Sequence, residues 1–432
     1  MGHTWLDRPL SGSWCALGWL AASALFVGLV RILGGPSQHD AVESVYSTYA
    51  IAHGDLSCAY LPHNIGGYAF ISPLWPLISG GLAALTRIGH QVPFPSQAIL
   101  GPHCSTASNA LLQWATHSGA PLRVIGLGYA SWLVLMGGVI ALLRATGRGR
   151  CIWEPMVLIL VACVPPVSMG LVQYFHPQDL VAIGLALGGL ACARRSWWGW
   201  AGMLLGLAVA SQQFTLLVLA PLLVVAPSHR RKRFAFSTIA MAALILVPVI
   251  AITSGRALRA VVIGSGNTPS LGGTVLWETH LHGAPLVAVS RILPIVISMV
   301  LARWAVKRIG SDILEPLPLL SLMATSLSLR LVFEQNLFGY YFMAIAVFLV
   351  LLAVVRGQIG WQLVAWLVMV ILAFTDVVPW SITPIHALPI WFWQVALVST
   401  GVAMAAEPLM SLMHHQPEVE PRRMEEGPVL VM

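Results

Sequence analysis

Five groups of polar side chains interrupt an otherwise apolar chain, and chemistry would have to start from them. After the first apolar run come Asp40, Glu43, Tyr46, His53, Asp55 and Tyr60. The stretch QYFHPQD carries Gln173, His176, Gln178 and Asp179, and Gln212 and Gln213 stand inside the apolar run 199–227. Segment 255–285 holds Arg256, Arg259, Asn267, Trp277, Glu278, His280 and His282. The stretch SLRLVFEQNLFGYY supplies Arg330, Glu334, Gln335, Asn336, Tyr340 and Tyr341. Plainer readings exist for each. Asp40 and Glu43 could be solvated acids at a membrane edge, and Asp179 could simply cap the helix that Pro177 opens. Arg330 and Glu334 are four apart and could only pair with each other. Even so, an ionisable side chain within a membrane helix is costly to bury and is by default a functional candidate. His53, His280 and His282 have no paired ligand spacing, and the six cysteines form no CxxC motif, so no metal site is indicated.

Composition dictates what must hold these groups. Of 432 residues, 57% are apolar and 9% charged, and the mean hydropathy is +0.81. A soluble domain carries roughly 25% charged residues. Soluble, disordered, collagen-like, coiled-coil and nucleic-acid-binding classes are therefore excluded, and an all-α polytopic membrane protein remains. The net charge of +7 fits cytoplasmic loops that collect Lys and Arg better than an acidic partner.

A crossing helix needs about 20 apolar residues. Such runs lie near 14–34, 122–143, 154–174, 178–193, 235–254, 286–304, 314–332, 338–355, 361–379 and 388–406. The run 199–227 is too long for one crossing and short for two. Basic clusters flank it on both sides, Arg194 and Arg195 before and Arg230, Arg231, Lys232 and Arg233 after. Both its ends then belong to one side, and the run reads as a hairpin of two short helices turning at Ser211, Gln212 and Gln213. Counting the hairpin as two gives about 12 transmembrane helices with both termini cytoplasmic. Sixteen of the 23 basic residues then face the cytoplasm; the other seven are Arg31, Arg87, Arg123, Arg256, Arg259, Arg291 and Arg330. Irregular backbone at membrane depth survives only where protein buries it or a wet cavity receives it. The Gln212 turn therefore implies a cavity open to the outside.

Segment 70–87 is apolar but short and broken by Pro73 and Pro76, and a full crossing there would invert every later loop. It reads as a re-entrant or interfacial helix within a long outer loop, 35–121. That loop holds Cys58 and Cys104, a disulfide candidate in an oxidising compartment, with two separate thiols as the alternative. The first apolar run reads as an uncleaved anchor rather than a signal peptide. Residues 1–408 form one transmembrane domain, and 409–432 reads as a disordered cytoplasmic tail. No internal repeat is evident.

A long first outer loop with an acid just past helix one resembles the GT-C membrane glycosyltransferases. The run D-x-x-x-x-V-Y from Asp40 to Tyr46, then Gly54 and Tyr60, then Ser72-Pro73-Leu74, is similar to glycosyltransferase family 87. So is the G-x-x-x-G hairpin followed by HRRKR. In that family the hairpin commonly carries a Lys, where this chain has Gln212 or Gln213. The resemblance spans about 30–355. It implies an inverting hexosyl- or pentosyltransferase in a bacterial plasma membrane, active on the outer face. The donor would be a polyprenyl-phosphate sugar, the acceptor a glycan or glycolipid, and no further cofactor is implied. Asp40, with Glu43 beside it, would act as general base on the acceptor hydroxyl. Arg330 would hold the phosphate of the leaving lipid, with Arg256 and Arg259 as alternates. Tyr340, Tyr341 and Trp277 would line the sugar site together with His176, Gln178, Asp179, Gln212, Gln213 and Glu334. The rivals are a transporter or lipid-linked sugar flippase, which would need related halves and a polar path to both sides, and a non-catalytic membrane subunit.

Overall fold

A computed structural model describes residues 9–33, 38–54, 56–60, 73–87, 120–172, 175–253, 276, 279, 281, 283–334, 339–357 and 390–415. All regular elements among the described residues are helical. Among the described residues, five helices are long and apolar enough to cross a membrane: Gly12–Ile32, Gly126–Ala145, Ser228–Ile252, Pro285–Leu314 and Pro316–Phe333. Large apolar side chains such as Phe236, Ile239, Leu244 and Val300 point outward. Such a surface would be costly in water and is ordinary where lipid is the solvent.

Helix α1 (Gly12–Leu33) is followed by α2 (Gln38–Ala52) and α3 (Leu74–Leu85). Next come α4 (Ala120–Ala145), α5 (Trp153–Ala162), α6 (Pro165–Val172) and α7 (Pro177–Arg194). The run 154–174, expected as one helix, is two. Pro165 and Pro166 have no N–H to give to the preceding turn, so α5 ends before them and α6 restarts on them. Pro177 at the first position and Asp179 in the first turn open α7, and Arg194 closes it, as the helix dipole favours.

One end of the bundle collects the basic turns. Pro9 bridges to Cys151, and Leu10 N–H donates to the Arg150 carbonyl. Glu154, wholly buried, accepts from Trp19 Nε1 (3.1 Å), from Arg144 (3.0 Å) and from the Arg150 N–H (2.8 Å). From there α1 runs antiparallel to α4: Ser23 meets Met136 and Trp132, and Phe26 stacks on Trp132 at 4.3 Å. Helices α4 and α7 run parallel, with Gly128 against Phe175 and Gly138 against Gly184.

The run 199–227 divides into α8 (Trp198–Ser211), a 3-10 turn (Gln213–Thr215) and α9 (Leu216–Val225), followed by α10 (Ser228–Ile252). Along α8, Gly199 lies by Arg233, Gly202 by Phe234 and Ser237, and Gly206 by Thr238 and Ala242. Contacts that rise together mean α8 and α10 are parallel, so the chain reverses between them. A methyl at Gly202 or Gly206 would overlap the Phe234 or Thr238 carbonyl, so this approach requires glycine. By the same register α10 continues roughly 10 Å beyond the level of Ser211. The arms α8 and α9 diverge: α8 packs on α7 and α10, whereas α9 packs on α11 (Leu293–Ile309) and α12 (Pro316–Phe333).

A short helical turn (Gly283–Val287) and a π-turn (Ala288–Ile292) precede α11. The chain continues through α12, a 3-10 turn (Gly339–Phe342), α13 (Met343–Arg356) and α14 (Ile390–His415). Arg356 pairs with Glu407 at 2.6 Å, and Arg194 lies 3.5 Å from Glu315, both at the basic end. Helix α14 continues to His415, past position 409 where the polar tail was expected to begin, because Leu409 and Met413 still bury against the core. Residues 416–432 lie outside the described residues.

In the expected outer loop, α2 and α3 pack in parallel. Thr48 bonds Ser79 (2.7 Å), Trp75 Nε1 donates to Ser44 (3.1 Å) and Tyr60 donates to the Pro73 carbonyl (3.1 Å). Burial pushes the Tyr60 phenol well above the ordinary tyrosine range, so it remains a donor. Helix α3 has 12 residues, roughly 18 Å, and rests on α4, α7 and α8.

Candidate functional site

The site lies at the end opposite the basic turns, where the last turn of α12, the start of α7 and the α8–α9 reversal meet. Arg330 arises from that last turn. Its Nε donates to Glu334 Oε2 at 3.1 Å, so the i,i+4 pair exists. The guanidinium also lies 4.7 Å from the Phe214 ring and 4.2 Å from the Tyr341 ring. A residue of the hairpin turn and one of the Gly339–Phe342 turn thus hold it from two sides. Such a grip leaves little orientational freedom.

Beside it, His176 precedes α7 and stacks on Tyr340 with ring centroids 4.0 Å apart. Gln178 Nε2 lies 2.9 Å from His176 Nδ1, a hydrogen bond in which the amide N–H donates. Asp179 is buried one residue further on. One of its oxygens has no hydrogen-bond partner among the described residues, the Gln212 carboxamide faces the carboxylate, and His176 and Arg330 lie within electrostatic reach. Ser211 Oγ donates to the Gln178 carbonyl at 2.8 Å, tying the hairpin turn to the start of α7. Gln213 Oε1 accepts from Arg291 at 2.8 Å.

These groups enclose a cavity of about 190 Å³, room for a ligand far larger than a water. Its polar wall is His176, Gln212, Gln213, Arg330 and Glu334, with Tyr340 and Tyr341. Its apolar lining is Leu216 and Leu217 of α9 with Pro294 and Ile295 of α11, one turn from Gln213 and from Ser290 and Arg291. Helix α11 is also among the least buried helices, so the apolar lining backs onto the lipid-exposed surface. The lining suits a ligand that combines an anionic or hydroxylated head group with hydrocarbon.

Of the residues singled out in the sequence, seven line this cavity: His176, Gln212, Gln213, Arg330, Glu334, Tyr340 and Tyr341. Gln178 and Asp179 are buried beside His176 and support the wall. Asp40 and Glu43 fall on the first turns of α2, and their side chains lie outside what is described. Arg256, Arg259, Trp277 and Cys104 lie outside the described residues, as does the Cys58 side chain, so neither the alternate cations nor the disulfide is placed.

Sequence reading passed over Arg291, Ser290 and Phe214, which also line the cavity. Arg291 was visible only as a cation on the less basic side that needed a reason. It brings positive charge to a turn that has none of its own, from a π-turn, a distortion frequent at functional sites. Among the described residues, no group of three or more His, Cys, Asp or Glu side chains could hold a metal ion. Neither family models nor curated proteins match the chain.

Proposed function

We propose that this chain is an inverting membrane glycosyltransferase of GT-C type, with about 12 transmembrane helices and its cavity open to the outer face. It would transfer a hexosyl or pentosyl group from a polyprenyl-phosphate donor to a glycan or glycolipid acceptor. Asp40 takes the proton of the acceptor hydroxyl while that oxygen attacks the anomeric carbon. The bond from that carbon to the phosphate oxygen breaks, and polyprenyl phosphate leaves with the electron pair. Arg330 faces the negative charge that develops, and Arg256 and Arg259 are the alternates. Tyr340, Tyr341 and His176 present aromatic and hydrogen-bonding surface to the sugar. The lipid chain leaves over Leu216, Leu217, Pro294 and Ile295.

The observation that carries this reading is one cavity lined both by an aromatic-held guanidinium and by aliphatic side chains of α9 and of the little-buried α11. A lipid-linked phosphosugar combines the matching two parts. The test is sugar transfer by the purified full chain in lipid, supplied with labelled polyprenyl-phosphate hexose or pentose. Transfer that disappears in Asp40→Ala supports the reading, and unchanged transfer removes Asp40 from it. A wild-type chain that moves the donor across the bilayer without transferring the sugar would instead be a flippase.

A further inference from the structure

Several arginines at the basic end are already engaged. Arg144, Arg194 and Arg356 are each spent on a carboxylate: Glu154, Glu315 and Glu407. Arg231 donates to the Val224 and Ala226 carbonyls, closing the end of α9. Arg195, Arg230, Lys232 and Arg233 are exposed, and none has a carboxylate partner among the described residues.

Arg195 and Arg233 flank the start of α8, and Arg230 and Lys232 share the first turns of α10 with Arg233. Arg233 lies against Gly199 at the start of α8, and Arg195 sits 5.6 Å over the Trp197 ring. Trp197 and Trp200 are both more than half exposed beside them. On the flank of α10 that carries Arg233, exposed side chains recur at helical spacing: Ala240, Leu244 and Val247. Arg233, with Arg195 and two interfacial indoles near the start of α8, thus stands at the foot of a hydrocarbon-facing stripe on one flank of α10.

We infer that this place is a binding site for the head group of an anionic phospholipid, whose acyl chains lie on that flank of α10. The phosphate is met by Arg195 and Arg233, the side chains nearest the start of α8, with Arg230 and Lys232 adding to the field. Positive loops alone would orient the chain in the membrane. Four unspent cations beside two tryptophans and an apolar stripe describe a seat for one lipid. The inference is independent of the cavity and of what occurs there.

The test is native mass spectrometry of the detergent-solubilised full chain, titrated with phosphatidylglycerol, with phosphatidylcholine and with inorganic phosphate. The expected result is a roughly tenfold preference for phosphatidylglycerol over phosphatidylcholine. The double variant Arg195→Gln/Arg233→Gln should lose it, and Arg195→Lys/Arg233→Lys, which keeps the charge, should retain it. Removing the same charge elsewhere at this end, in Arg303→Gln/Lys307→Gln, should leave the preference in place. Equal binding of the two lipids overturns the inference, as does a preference that survives in the first variant. So does displacement of phosphatidylglycerol by equimolar inorganic phosphate, which would make it a phosphate site only.

Discussion

Ser211, the last residue of α8, donates its hydroxyl to the Gln178 carbonyl in the first turn of α7 at 2.8 Å, and both residues are buried. This bond joins the chain reversal to the element that presents His176, so two walls of the cavity share one anchor. Ser211→Ala leaves a buried carbonyl without this donor and should cost about 1 kcal/mol. A lowered unfolding temperature in detergent, largely restored in Ser211→Thr, is the expected outcome. An unchanged temperature in the alanine variant would show that the bond contributes nothing.

Helix contact at Gly206 has no room for a side chain. Gly206→Leu should separate α8 from α10, destabilise the protein by 1–3 kcal/mol or more, and lower the yield of monodisperse protein. Gly81→Ala meets open space and serves as the tolerated control. Size-exclusion profiles and unfolding temperatures of the two variants check this.

Arg330 is held by ring faces and by a carboxylate, a geometry that lysine cannot reproduce. On the proposed reaction, Arg330→Lys should lower the transfer rate nearly as far as Arg330→Gln, by roughly 10²- to 10³-fold. Comparing kcat of the two variants with wild type decides it; near-full activity in the lysine variant would mean that only the charge matters.

Glu154 is the hub of the basic end, receiving a tryptophan, an arginine and a backbone N–H. Glu154→Gln keeps the shape but loses the charge-assisted bonds and should cost about 2 kcal/mol, tempered because Arg144 is partly exposed. Chemical denaturation of the variant measures the loss. Arg144→Gln should lose less, since the other two donors remain.

The proposed orientation has its own check. In a cysteine-free background, Ser228→Cys at the basic end should react with an impermeant maleimide only after cells are opened. His53→Cys, in the expected outer loop, should react in intact cells. The reverse pattern would place the cavity in the cytoplasm and remove the lipid-donor reading.

Helical class and membrane character were legible in the sequence, because runs of apolar residues leave the backbone no partners but its own. The interruption at Gln212 was legible as well: basic residues on both sides of a run too long for one helix require the chain to turn back. The pair Arg330–Glu334 could be read from spacing alone, since helix geometry brings i and i+4 together wherever the helix goes. None of this says that the arms of the reversal diverge, or that Phe214 ends against Arg330.

Those relationships join residues far apart in the chain, such as His176 with Tyr340 and Gln213 with Arg291, and have no local signature. They arise because glycines at 138, 184, 202 and 206 let particular helices approach closely, which sets the levels at which the remaining side chains meet. Composition and period therefore determined which segments are helices and where the backbone breaks. Only the packing of those helices decided which of the scattered polar groups share a cavity, because burying a polar group depends on neighbours contributed by distant parts of the chain.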